Sequence, residues 1–227
     1  MTSSATAKAS PAFTLIEMLV VVVIVVILLI TAMPTHKGAK VKTSQAQCID
    51  NLRQIGLGWN MYLGDHKDLF PWQVSTNQGG TEELISNGVV ADHFAKLAPY
   101  QLGTRIFVCP EDKTRHAAAT NSVGFSNTNL SYFAALNAAL TVTSSPATLL
   151  LAGDRHLAFN HQPVKPGLFS LTNPAALSWT KELHWAKNQA ETLGVMAFAD
   201  GHCEAVKSTK LPATFQRQNP ATRLVIP

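Results

Sequence analysis

Residues 12–34 read AFTLIEMLVVVVIVVILLITAMP, and the rest of the chain is organised around them. The 21 residues from Phe13 to Met33 contain one charged residue, Glu17, and two threonines. At about 1.5 Å per helical residue the run would extend roughly 31 Å, close to the ~30 Å hydrocarbon core of a bilayer. An isolated strand in lipid would leave its backbone N–H and C=O groups unpaired, so the run predicts a membrane-spanning helix over residues 13–34. The alternative is a helix or strand buried in a protein core.

Glu17 places a charged side chain within the apolar run. A carboxylate at mid-bilayer costs of order 2.5–3.5 kcal/mol, and less near a helix end, so it commonly has a partner. No Lys or Arg lies within the run. The partner would come from a neighbouring chain or from an amino terminus created by cleavage nearby. Alternatively, the carboxylate lies among the lipid headgroups and is solvated.

The order of residues here, a small residue, Phe-Thr-Leu-Ile-Glu and an apolar run, resembles the N-terminus of type IV pilins and type II secretion pseudopilins. The resemblance implies that a prepilin peptidase cuts between Ala12 and Phe13 and methylates the new amine of Phe13. It also implies that Glu17 pairs with the amine of the adjacent subunit during assembly, and that Pro34 loosens the helix. Ala12 departs from the family, which usually has Gly at that position.

Residues 1–12, MTSSATAKASPA, are short and polar, and the sequence predicts a leader that is removed. A conventional secretory signal is the alternative, but the apolar run is longer than the usual signal core and no clear Ala-x-Ala cleavage site follows it. Lys37, Lys40 and Lys42 follow the run while Lys8 precedes it. The positive-inside rule by itself therefore predicts a cytoplasmic head, whereas the more specific cleavage motif predicts a periplasmic one.

Length and charge limit the function classes that remain. Without the span, roughly 190 of the 227 residues are left, enough for one domain with its own core. The net charge of +4 is too weak and too scattered to indicate a nucleic-acid partner. The sequence contains no Gly-rich phosphate loop and no zinc-type cysteine pairs. We expect one globular head over residues 65–227.

Residues 35–64 are predicted to continue the helix with one apolar stripe. Together with the preceding run this would be a helix of about 50 residues, roughly 75 Å long, with Pro34 as a candidate bend. Gly64-Asp65-His66 predicts the end of the helix. The stripe is formed by apolar residues three or four positions apart: Ile49, Leu52, Ile55, Trp59 and Tyr62.

The head is predicted to be α+β, with a small antiparallel sheet packed on the long helix. Arg105–Asp112 predicts a strand that ends in a turn, and Ala147–Ala152 predicts a buried strand. Residues 157–190 read as a long connection with a short helix near Trp179–Ala186. The tail, Lys207–Pro227, has little pattern.

The clearest local signal in the head is Asp200-Gly201 between two strand-like runs. A tight two-residue turn needs positive φ, which Asp-Gly supplies, so the sequence predicts a hairpin.

Two further segments narrow the resemblance. Residues 48–72, CIDNLRQIGLGWNMYLGDHKDLFPW, resemble the helix end of pilin-like proteins of planctomycete and verrucomicrobial type. Asp200-Gly201 resembles the C-terminal motif of that family, in which a His precedes Asp-Gly by nine intervening residues. Here the matching position is Ala190, and the nearest upstream His is His184. The role of that His in relatives is therefore not carried over.

Several Asp and His residues are candidate metal ligands or acid–base groups if they converge. Ordinary turn, cap and strand-end roles are the alternative, and the spacing by itself indicates no convergence. A structural Ca²⁺ ion is the one cofactor that we consider, because oxygen-rich loops in the resembled superfamily can bind calcium. We find no catalytic motif and predict no enzyme. The candidates are Asp154, His156, Asp200 and His202, with His184 near them in sequence and a second set at Asp65, His66 and Asp68.

The chain contains three cysteines, Cys48, Cys109 and Cys203, which allow three possible single bridges. A periplasmic head would permit a disulfide. The resemblance favours Cys48–Cys109, because both lie in segments similar to the family, and would leave Cys203 as a buried thiol. The alternative is that all three are reduced.

These observations predict a structural subunit of a type II secretion pseudopilus or of a type IV pilus-like filament. Its expected partners are a prepilin peptidase, other pilin or pseudopilin subunits, an inner-membrane assembly platform and the lipid bilayer. The expected location is the bacterial inner membrane, as a single-pass protein with its head in the periplasm. The alternative is a membrane-anchored periplasmic protein that binds a ligand or metal and retains a pilin-like anchor.

Overall fold

The computed structural model describes residues 13–31, 36–100, 102–120, 124–136, 145–180, 192–218 and 222–227. The chain divides into two compact units, Met1–Lys40 and Val41–Pro227. The predicted leader over residues 1–12 and the predicted bend at Pro34 lie outside the described residues.

The described elements are four α-helices, nine strands and several short 3₁₀ segments. The helices are α1 (Leu15–Thr31), α2 (His36–Asp65), α3 (Val90–Phe94) and α4 (Leu211–Gln216). The strands are β1 (Tyr132–Ala135), β2 (Leu150–Asp154), β3 (Leu157–Phe159), β4 (Gln162–Pro163), β5 (Gly167–Ser170), β6 (Leu177–Trp179), β7 (Leu193–Phe198), β8 (Cys203–Lys207) and β9 (Arg223–Ile226).

The strands form two antiparallel sheets in the second unit. The larger has six strands in the order β5-β9-β1-β2-β7-β8, and the smaller has three in the order β4-β3-β6. The central pair, β1 and β2, is buried at every residue. This is the α+β class with an antiparallel sheet that the sequence predicts.

The predicted apolar stripe of α2 packs into the core of the second unit. Leu52, Ile55 and Trp59 are fully buried, Tyr62 nearly so, and Ile49 is half-buried. Burying each large side chain contributes about 1.5–3 kcal/mol, so this face holds the helix to the head. The helix ends at Asp65, as Gly64-Asp65-His66 predicted.

The β7–β8 hairpin is present, but its turn differs from the predicted two-residue type. The Phe198 N–H donates to the His202 carbonyl at 3.0 Å, and the Gly201 N–H donates to the Phe198 carbonyl at 3.0 Å. The loop therefore has three residues, with Gly201 at φ +86°. A two-residue turn of the predicted kind needs positive φ at both central residues, whereas this loop needs it at one, which Gly supplies.

The predicted strand over Arg105–Asp112 is wrong. Residues Thr104–Phe107 form a 3₁₀ turn, in which Ile106 and Val108 donate to carbonyls three residues earlier. Ile106 and Phe107 are neighbours in sequence and both are buried. A strand would point them to opposite faces, whereas a tight turn brings both into one core.

The predicted connection over residues 157–190 and the predicted patternless tail contain strands. Residues 157–179 supply β3 to β6, so Trp179 ends a strand, and residues 181–186 of the predicted helix lie outside the described residues. In the tail, β9 pairs with β5 on one side and with β1 on the other. Its last three residues are all buried, so it carries no alternation of apolar and polar residues that would have identified it.

Candidate functional site

The first turn of α1 brings one of the predicted site residues, Glu17, into contact with Thr14. The Glu17 carboxylate accepts from the Thr14 backbone N–H at 2.9 Å and from the Thr14 hydroxyl at 2.7 Å. In return, the Glu17 N–H donates to the Thr14 hydroxyl oxygen at 3.3 Å. This is a capping box, in which a Thr at the helix start and a Glu three residues later satisfy free backbone N–H groups. Phe13 immediately precedes it and is 71% exposed.

The surface of α1 is apolar and exposed over its described length. Every side chain from Phe13 to Ile30 is exposed, and Glu17 is the one charged residue among them. A contiguous apolar surface of this kind marks a site that contacts lipid or protein. Of the predicted processing residues, Ala12 lies outside the described part of the chain.

Within the described residues, no helix combines the length and the apolarity that a membrane span requires.

In the head, the principal charged contact is an ion pair between Asp112 and Arg155. The Arg155 guanidinium donates to both carboxylate oxygens, at 2.7 Å from Nε and 3.1 Å from Nη2. The Ser131 hydroxyl donates to the same carboxylate at 3.0 Å, and the Thr114 hydroxyl does so at 2.7 Å. The Asp112 side chain is 1% exposed. Burial raises its pKa, but the hydrogen bonds from Arg155 and Thr114 outweigh this and hold the pKa well below its usual range.

Asp154, a candidate metal ligand, has a structural role at the end of β2. Its carboxylate is buried and accepts from the Val195 N–H of β7 at 2.6 Å. Burial raises the pKa of Asp154 to about 7. Asp154 therefore favours the folded state most at low pH, where its carboxyl group is protonated. This contribution to the free energy of unfolding is lost as the pH rises from about 4 through 7.

Four of the other metal candidates, Asp200, His202, Asp65 and His66, form hydrogen bonds within a turn or at the end of α2, and His156 lies half-buried between β2 and β3. The Asp200 carboxylate accepts from the His202 N–H at 3.0 Å and contacts the His202 Nδ1 at 2.5 Å. Asp65 accepts from the Tyr100 hydroxyl at 2.9 Å, and His66 Nδ1 lies 2.9 Å from the Tyr62 carbonyl oxygen.

A metal site would need several of these groups together. Among the described residues no group of three or more His, Cys, Asp or Glu side chains is placed to hold a metal ion. His184 lies outside the described residues, and a structural Ca²⁺ ion stays an untested prediction.

Cys48 of α2 and Cys109 are joined by a disulfide, the pairing that the resemblance favoured. Their Cα atoms are 5.4 Å apart, and the bridge closes a loop with a sequence separation of 61. In the chain-entropy description a loop of this length contributes about 4 kcal/mol. Cys203 is a free thiol that is half-buried rather than buried, and burial raises its pKa to about 11.

His93 is a buried titratable residue that sequence reasoning did not identify. Its Nδ1 lies 2.7 Å from the Thr81 hydroxyl oxygen. Its Nε2 is buried without a hydrogen-bond partner in the part of the chain that the structure describes. Burial lowers the pKa of His93 to about 4. The imidazole is therefore neutral at physiological pH.

We predict that His93 makes the head lose stability in mild acid. The unfolded chain binds a proton near pH 6.5 while the folded chain does so near pH 4, so stability falls as the pH drops between these values. From pH 7.5 to pH 5 the loss attributable to His93 is about 2 kcal/mol. Asp154 acts in the opposite direction, so the difference between wild type and His93→Asn isolates the effect. Urea unfolding at both pH values measures it, and equal pH dependence in the two proteins would contradict the prediction.

Comparison with known proteins identifies the N-terminal segment. Residues 8–33 match the family model described as the prokaryotic N-terminal methylation motif. This is the signature of type IV pilins and pseudopilins, and proteins that carry it are generally structural rather than enzymatic. No curated protein and no solved structure matches the chain. The chain therefore carries a pilin-type methylation motif, ahead of a head that the motif does not cover.

Proposed function

We propose that this chain is a structural subunit of a type II secretion pseudopilus or of a type IV pilus-like filament. A prepilin peptidase cuts it between Ala12 and Phe13, and it assembles through its N-terminal helix. The observation that carries the proposal is the position of Glu17. The one carboxylate of an exposed apolar helix lies in its first turn, within a methylation motif.

The contacts of Glu17 support a role in docking. Its carboxylate reaches back to Thr14, the residue after Phe13. Cleavage before Phe13 would expose a positively charged amine close to this carboxylate, and an incoming subunit would offer the same pair. Opposite charges about 4 Å apart attract by roughly 4 kcal/mol at an effective dielectric constant of 20. The attraction selects subunits whose helices are displaced along their axes by about four residues, because that displacement sets Glu17 of one copy level with Phe13 of the other.

The rest of α1 supplies the association energy. Its apolar side chains are first covered by lipid in the inner membrane and then by the α1 helices of other subunits, which bundle into a filament core. An assembly platform in the inner membrane takes up the processed subunit. The head lies on the periplasmic side, where the Cys48–Cys109 disulfide is stable.

The proposal is tested by expressing the full chain with and without a prepilin peptidase. With the peptidase, residues 1–12 are expected to be removed and the chain to enter high-molecular-weight assemblies. Without it, the chain stays full-length and in the membrane fraction. A chain that is not cut in the presence of the peptidase, or that is cut and enters no assembly, would contradict the proposal and favour an anchored binding protein.

A further inference from the structure

The face of α2 that points away from the core carries a second pattern of regularly spaced residues. Successive members are three or four positions apart, the spacing of a helix–helix contact seam. All of them are exposed, and the two large apolar members are unusually so, with Leu57 58% and Met61 46% exposed. We call this set the outer stripe: Ala46, Asp50, Arg53, Leu57 and Met61.

Two opposite charges lie next to each other on the outer stripe without pairing. Asp50 accepts from the Gln54 side-chain amide at 2.8 Å, and it forms no ion pair with Arg53 within the described residues. An exposed acid and an exposed base on one helix face form a charge pattern that is complementary to itself. A second copy of the same face is therefore a suitable partner.

We propose that the outer stripe binds the outer stripe of a second copy of this chain, with the two helices parallel and displaced along their axes by three to four residues. The proposal rests on the proposed function, because assembly is what brings a second copy of the outer stripe close. A displacement of three residues, about 4.5 Å, sets Arg53 of one copy level with Asp50 of the other. A displacement of four residues, about 6 Å, sets Met61 level with Leu57.

Other arrangements of the same two faces fit less well. Without displacement, Asp50 meets Asp50 and Arg53 meets Arg53, so like charges are juxtaposed. An antiparallel arrangement that pairs the charges sets Leu57 level with Ala46 and leaves Met61 opposite the basic start of the stripe at Lys42. In the displaced parallel arrangement one of these pairs is level and the other is one residue, about 1.5 Å, from level, so opposite charges and apolar side chains face each other together.

The first test reverses the charges in the full chain under conditions in which wild type assembles. Arg53→Asp sets two acidic residues level with each other, and we expect it to reduce the assembled fraction about fivefold. The double variant Asp50→Arg/Arg53→Asp restores the complementarity and is expected to return to within about twofold of wild type. A double variant that assembles no better than Arg53→Asp would overturn the proposal, as would full assembly of Arg53→Asp.

The second test uses cross-linking between two copies in a Cys203→Ser background. Leu57→Cys in one copy and Met61→Cys in another are expected to form a disulfide-linked dimer on oxidation. Leu168→Cys is the matched control, because Leu168 is an exposed leucine on β5 and not part of the outer stripe, and it is expected to give no dimer with Leu57→Cys. Equal dimer yields in the two pairs would contradict a specific seam. Retention of the Cys48–Cys109 bridge verifies that each variant is folded.

The two proposals fail in different ways. If wild type is neither processed nor assembled, the proposed filament function fails, whatever the outer stripe does. If wild type assembles and Glu17→Ala does not, but the charge reversals and the cross-links have no effect, the outer stripe alone is refuted.

Discussion

Glu17→Ala is expected to lower the assembled fraction of the chain at least tenfold while the head stays folded. The substitution removes the one carboxylate of α1 and thereby the attraction to the amine of a neighbouring subunit. A tenfold loss corresponds to about 1.4 kcal/mol, well within the attraction expected of two charges outside bulk water. Sedimentation of assemblies from cells with a prepilin peptidase measures the fraction.

Glu17→Gln separates charge pairing from helix capping. Both Glu and Gln serve at the third position of a capping box, so the glutamine variant keeps the bond to the Thr14 N–H and loses the charge. If pairing with an amine is the function, Glu17→Gln fails as Glu17→Ala does. Wild-type assembly of the glutamine variant would mean that Glu17 merely starts the helix.

Arg155→Ala is expected to reduce the free energy of unfolding of the head by about 3–5 kcal/mol. The substitution leaves the Asp112 carboxylate, with a side chain that is 1% exposed, without its cationic partner. Removing one member of a buried ion pair is costly because the remaining charge stays desolvated. Urea unfolding of the full chain in detergent, followed by the fluorescence of buried Trp59 and Trp179, measures the loss.

Lys113→Ala is the matched control for this prediction. Lys113 pairs with Glu111 at 3.8 Å, one position from Asp112, but its side chain is 74% exposed. Exposed pairs contribute about 1 kcal/mol or less, so this variant is expected to unfold close to wild type. If Lys113→Ala and Arg155→Ala reduce the free energy of unfolding by similar amounts, the buried pair contributes no more than an exposed one, and the prediction is contradicted.

The sequence was sufficient for the elements whose signal is local. The stripe through Leu52, Ile55 and Trp59 predicts the buried face of α2, because three- and four-residue spacing produces one helix face. Gly201 predicts a hairpin, because few other residues adopt positive φ without strain. The order Phe-Thr-Leu-Ile-Glu predicts the methylation motif that residues 8–33 match.

The features that sequence reasoning missed depend on distant contacts. Strand β9 is defined by pairing with β1 and β5, from which it is far apart in sequence, and its short apolar run has no period of its own. The partners of Asp112 and the burial of His93 likewise follow from packing rather than from spacing. The composition of Arg105–Asp112 is typical of a strand, but Ile106 and Phe107 are both buried in one core, which a tight turn allows and a strand does not.

The most direct test of the account is the intact mass of the N-terminal peptide of the membrane-associated or assembled protein. We predict a peptide that begins at Phe13 and carries one additional methyl group, because cleavage after Ala12 and methylation are what the motif at residues 8–33 implies. A peptide that begins at Met1, isolated from cells with an active prepilin peptidase, would contradict the account.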